Sequence, residues 1–131
     1  MTDQELVDRA IKMQEFSYVP YSRFPVGAAL LCDDGTVFTG CNVENAAFGS
    51  TICAERTALL KAVSEGRRTG WMTLAIAGRG SDFCWPCGAC RQMLYEFAPG
   101  LRVLAARGDG AFETATLGQL MPHGFGPLSL Q

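Results

Sequence analysis

Residues 72–106, MTLAIAGRGSDFCWPCGACRQMLYEFAPGLRVLAA, decide the fold. Met72 to Ala77 is an apolar run of strand length. Gly78 to Trp85 holds two glycines and reads as a loop. Pro86 suits a helix start, and the pattern predicts a helix over about Cys87 to Phe97, closed by Pro99-Gly100. Leu101 to Ala106 is a second apolar run. Strand, helix and strand in this order make a right-handed crossover on a sheet that helices cover.

The pattern continues toward both ends. Upstream, Thr51 can cap a helix over about Ile52 to Glu65 that stops at Gly66, with Ala54, Ala58, Leu59, Ala62 and Val63 as its apolar face. Before it, Val26 to Cys32 and Thr36 to Val43 flank the turn signal Asp34-Gly35, which predicts an antiparallel hairpin. Asn45 to Ser50 is small and polar, hence a loop, and Pro20 and Pro25 bracket another. Thr2 and Glu5 have capping-box spacing, and Leu6, Val7, Ala10, Ile11 and Met13 recur at helical spacing, so a first helix covers about residues 3–16. Downstream, Phe112 to Ala115 is a short fifth strand, and Thr116 with Gln119 repeats the capping-box spacing before a last helix. The order α-β-β-α-β-α-β-β-α predicts an α/β protein, a three-layer α/β/α sandwich around a mixed five-stranded sheet.

A length of 131 residues suits a single domain over 1–131. With 48% hydrophobic and 18% charged residues the composition is globular. Eleven basic residues against thirteen acidic ones leave a net charge of −2 and no Lys/Arg cluster, which weighs against a nucleic-acid groove. No apolar run is long enough to span a bilayer. The polar start, Met1-Thr2-Asp3-Gln4-Glu5, is unlike a secretory leader, so a cytoplasmic location is expected. In that reducing setting, six cysteines beside one histidine point to thiols or metal ligands before disulfides.

Cys87 and Cys90 are three apart at a helix start. Such a pair can chelate metal, act as a redox dithiol, or be two small buried residues. Cys53, at the start of another helix, adds a third thiol and favours metal. Three protein ligands on tetrahedral zinc leave one position open, the pattern of a catalytic site, whereas a structural site is closed by a fourth. Cys84 competes for that fourth place through its spacing from Cys87; Cys32 and Cys41 read as buried small residues. Glu55 lies two residues from Cys53. A first-turn Glu on its own complements the helix dipole; beside an open metal position, it can carry protons. Arg56 and Arg91 each follow a candidate ligand and can donate to thiolates, or else stand as solvated surface charges.

Cys-Ala-Glu-Arg at 53–56 together with Pro-Cys-Gly-Ala-Cys-Arg-Gln at 86–92 resembles the zinc-dependent cytidine deaminases, in particular the small homotetrameric class that acts on free nucleosides. Asn42-Val43-Glu44-Asn45-Ala46 is similar to the family's ribose-binding segment, Tyr21 to Ala29 to its entry into the first strand, and Phe125-Gly126-Pro127 to its C-terminal segment. The resemblance implies one zinc per chain on Cys53, Cys87 and Cys90, with Glu55 as proton shuttle in hydrolytic deamination of cytidine and 2′-deoxycytidine. It implies that Asn42 and Glu44 bind ribose hydroxyls, and that Phe24 packs on the base. Phe125 would reach into a neighbour's site within a homotetramer, and Ala46, Phe48 and Ala54 would line the substrate. Phe48 stands where the family usually has Tyr, so a hydroxyl contact from that position is lost. Rival readings remain at this point: the same chemistry on another substrate, either a nucleoside antibiotic or cytosine within a nucleic acid; a non-catalytic zinc module; and, third, a redox dithiol, against which Cys53 and Glu55 argue.

Overall fold

The computed structural model describes residues 1–131. Helix α1 spans Asp3–Met13 and strand β1 spans Val26–Cys32; β2 is Val37–Cys41 and α2 is Ala54–Ser64. They are followed by β3 (Trp71–Gly78), α3 (Gly88–Phe97), β4 (Arg102–Ala106), β5 (Phe112–Thr116) and α4 (Leu117–Leu120). The sheet order is β2-β1-β3-β4-β5, with β3 and β4 parallel and every other pair antiparallel. This is the mixed five-stranded sheet expected from the sequence, and α3 is the crossover between its parallel pair.

Alternation along the strands sends successive residues to opposite faces. Leu6, Val7 and Ala10 of α1 pack on one face against Ala29, Ala75, Ala77, Leu104 and Ala106. On the other face, Ala58, Leu59 and Ala62 of α2 and Leu94 of α3 meet Ala28, Leu30, Leu74, Ile76 and Val103. Small residues let the layers close up. A Cβ on Gly27 would collide with the Ala10 carbonyl, and one on Gly40 with the Ala54 carbonyl. Central β3 is buried from Thr73 to Gly78, as a strand covered on both sides must be.

The helix starts are what position the site. α1 and α4 begin under the expected capping boxes: Thr2 with Glu5, and Thr116 with Gln119. The expected cap of α2 moves. Val43 and Ile52 exchange backbone hydrogen bonds of 3.0 and 2.9 Å, which holds the chain extended past Thr51 and makes Cys53 the N-cap. Likewise α3 starts one residue later than the sequence suggests, with Cys87 at φ −66°, ψ 166° as its N-cap.

Candidate active site

Cys53 and Cys87 thus hold equivalent positions at the starts of two helices on the same sheet face. Neither sulfur accepts a bond from its own helix amides, so both stay free at the positive ends of two helix dipoles. The Sγ atoms of Cys53 and Cys87 lie 4.0 Å apart, and those of Cys87 and Cys90 3.3 Å apart. All three fall within 4.8 Å of one another. Tetrahedral zinc with Zn–S bonds of about 2.3 Å sets its sulfurs roughly 3.8 Å apart, so the triad has the size and softness that zinc requires. Cys84 is not part of the cluster. Burial pushes its thiol up to about 11, with the charges of Glu55 and Cys53 adding to the effect.

Charge around the sulfurs is also matched. A hydrogen bond with Cys90 and a second from Arg56 pull Cys53 down to about 5 against the opposing effect of burial. Cys90 shifts the other way, through its bonds to the same thiolate and through burial. Arg56 Nη2 donates to Cys53 Sγ at 3.2 Å, while its Nε is buried without a partner. A dication on three thiolates would carry one net negative charge, which the neighbouring guanidinium would balance. Arg91 does not follow the expectation for it. It donates to backbone carbonyls, Nε to Pro86 at 2.7 Å and Nη1 to Leu120 at 3.0 Å, and so braces the peptide before Cys87 instead of a sulfur.

Glu55 is 5% exposed, an uncommon degree of burial for a carboxylate. Desolvation raises it to about 7, and the Cys53 charge contributes in the same direction. It lines a cavity of about 190 Å³ with Val26, Asn42, Cys53, Ala54 and Trp85. Asn42 Nδ2 donates to the Phe24 carbonyl and its Oδ1 accepts from Val26 N–H, both at 2.9 Å. Glu44 Oε1 accepts from the amides of Tyr21 and Ser22 at 3.0 and 3.1 Å. Hydrogen bonding from Ser22, first by its hydroxyl, holds the Glu44 carboxyl below its ordinary range. The Phe24 ring lies beside Gly78 and Gly80, next to Cys84 at the cavity edge.

Of the expected substrate contacts only Asn42 and Ala54 line this cavity; Phe24 and Glu44 stand outside its wall, and three more lie farther out. Ala46 is exposed in a bend. Phe48 is 73% exposed and meets Tyr21 edge-to-face, centroids 5.5 Å apart. Phe125 is 57% exposed on the C-terminal segment. Trp85 is a lining residue that motif spacing did not single out; its place directly before Pro86-Cys87 was the available signal.

Residues 1–106 match the family described as the cytidine and deoxycytidylate deaminase zinc-binding region. The chain is 46% identical to the cytidine deaminase of Sporosarcina psychrophila over 126 residues, covering 95% of this chain and 92% of that protein. It is 47% identical to the cytidine deaminase of Halalkalibacterium halodurans, covering 95% of each. Its fold superposes on the crystal structure of cytidine deaminase from Burkholderia pseudomallei with a TM-score of 0.92 at 43% identity, covering 95% of this chain and all of that one.

Proposed function

This chain belongs to the cytidine and deoxycytidylate deaminase family, and from that premise we propose that its 131 residues form one deaminase domain that converts free cytidine and 2′-deoxycytidine, with water, to the uridine nucleosides and ammonia. One observation carries the reading: a nearly buried carboxylate, Glu55, shares a cavity with Cys53 and Cys87 of a three-thiol cluster of zinc dimensions. Cys53, Cys87 and Cys90 would hold one zinc per chain, which when bound supplies the Lewis acidity that readies a water for attack at C4. Arg56 tempers the charge on Cys53, and Arg91 fixes the Pro86 peptide and with it the start of α3.

Glu55 moves the protons. It takes one from the attacking water and places it on N3 of the ring, then takes the proton of the new C4 hydroxyl and delivers it to the departing N4 amine. The C4–N4 bond breaks, ammonia leaves, and the base becomes uracil. Asn42 spends one amide hydrogen and one oxygen lone pair on the backbone of Phe24 and Val26. Each group retains capacity for a sugar hydroxyl. Glu44 anchors through Oε1 and leaves Oε2 to accept another. Phe24 and Ala54 wall the base, with Ala46 and Phe48 at the outer end of the sugar.

The cavity is small beside the 300–1,000 Å³ of complete ligand sites, and Tyr18, Tyr21, Leu60 and Phe125 are all exposed. Both facts suit a homotetramer in which Phe125 of one copy closes the site of another. No helix is long and apolar enough to cross a membrane, and six unpaired cysteines suit the cytoplasm. The test is turnover of cytidine against cytosine, followed by ammonia release. A site built for hydroxyls leaves polar groups unpaired when the sugar is missing, so cytosine should be far worse; equal turnover would refute the roles of Asn42 and Glu44.

A further inference from the structure

The C-terminal segment around Phe125 is held in a shape that its own residues do not favour. His123 sits at φ +55°, the left-handed region that non-glycine residues seldom adopt. Gly124 and Gly126 have no positive φ, and Gly126 at −152° is ordinary extended backbone. What these two positions need is space. A Cβ on Gly124 would stand 2.9 Å from Tyr95 Cζ and 3.0 Å from Cε2. One on Gly126 would stand 2.9 Å from Cε1 and 3.0 Å from Cδ1. The backbone therefore crosses the Tyr95 ring from one edge to the other. Between the glycines, Gln92 Nε2 donates to the Phe125 carbonyl at 2.8 Å. Beyond them, the Gly126 amide donates to Ser129 Oγ at 3.2 Å. These constraints grip the backbone of Phe125, while its ring remains more than half exposed.

We infer that Gln92 and Tyr95 are positioning residues, a pedestal on α3 that fixes the backbone of Phe125 so that its ring is presented, already ordered, to the substrate site of a second copy. The inference rests on the reading above that Phe125 serves a neighbour. Backbone strain and close contact at one loop commonly mark a function that the surrounding structure supports, and an aromatic ordered in advance avoids the entropy cost of ordering on binding. Gln92 and Tyr95 are three apart, on one face of α3. The same helix carries Cys87 and Cys90 at its start, so it sets both its own metal centre and the ring it lends.

Steady-state kinetics with cytidine on the zinc-loaded full chain test this. Gly126→Ala drives a Cβ into the Tyr95 ring and should raise KM at least about fivefold, the low end of what a base–aromatic stack contributes. Its kcat should fall much less, with zinc content and Tm close to the parent's. Gln92→Met, at an exposed helical position, removes only the donor and should raise KM about two- to tenfold; it decides the matter should Gly126→Ala fail to fold. In a Tyr95→Ala background, Gly126→Ala should add nothing, because the ring it strikes is gone. Phe125→Ala tests the underlying reading separately: an unchanged KM there would defeat that reading and the pedestal together. A raised KM for Phe125→Ala with normal KM for Gly126→Ala and Gln92→Met would overturn the pedestal alone. So would a Gly126→Ala effect of the same size with and without the Tyr95 ring.

Discussion

Two of the four helices begin under a capping box and two begin under a bare cysteine. At α1 and α4, Thr2 with Glu5 and Thr116 with Gln119 satisfy the first amides reciprocally. At α2 and α3, Cys53 and Cys87 occupy the same cap position and accept nothing from their helix amides. A missing cap costs about 0.5–2 kcal/mol of helix stability, and the chain forgoes it twice at one point in space. The difference separates two tasks. Capped starts end a helix where the local sequence dictates, whereas bare starts aim free N–H groups and thiols at a shared centre, where a ligand can use them. Local rules broken together at one place mark function more clearly than either break alone.

The contrast predicts that damage to the bare starts shows in activity, and damage to the capped starts shows in stability. The largest effect belongs to Glu55→Gln in the first turn of α2. The amide keeps the shape but cannot relay protons, so kcat should fall about a hundred- to ten-thousandfold, with zinc content and unfolding midpoint unchanged. Near-normal turnover would remove Glu55 from the chemistry. Thr2→Ala should do the reverse, lowering stability by about 1 kcal/mol in denaturant unfolding with kcat and KM as in the parent. A loss of activity there would blur the division. Smallest is Asp3→Asn, also at a capped start. Asp3 binds Arg102 through bonds of 3.2 and 2.7 Å, which hold its carboxyl below the ordinary 3.8. A depressed carboxyl stabilises above its unfolded-state pKa and loses that contribution as pH falls through the folded one. The pair is half-exposed, so solvent screening limits it to at most about 1 kcal/mol. The gap between parent and variant should be full near pH 7 and close below about pH 4; a gap that widens in acid would contradict the assignment.

The legible parts of this chain are those where a local signal decides alone. Val26–Cys32 emerged with its bounds intact because Pro25 and Asp33-Asp34 flank an unbroken apolar run. Both capping boxes were legible for the same reason. The triad was legible because Cys87 and Cys90 are three apart and Cys53 opens a second helix. What escaped was set by distant partners. Thr51 has the composition of a cap, yet pairing of Ile52 with Val43 carries the extended chain past it. Arg91 follows the candidate ligand Cys90 in sequence, but its guanidinium finds the carbonyls of Pro86 and Leu120. The burial of Glu55 depends on layers packed around it, which no spacing reveals.

If the two bare helix starts serve one open zinc centre, the metal and its ligands should show it. Metal analysis with zinc-edge X-ray absorption on freshly purified protein tests it most directly. The expected result is one zinc per chain with three sulfurs at about 2.3 Å and one lighter atom completing the tetrahedron. Absence of zinc, or a fourth sulfur closing the site, would contradict it.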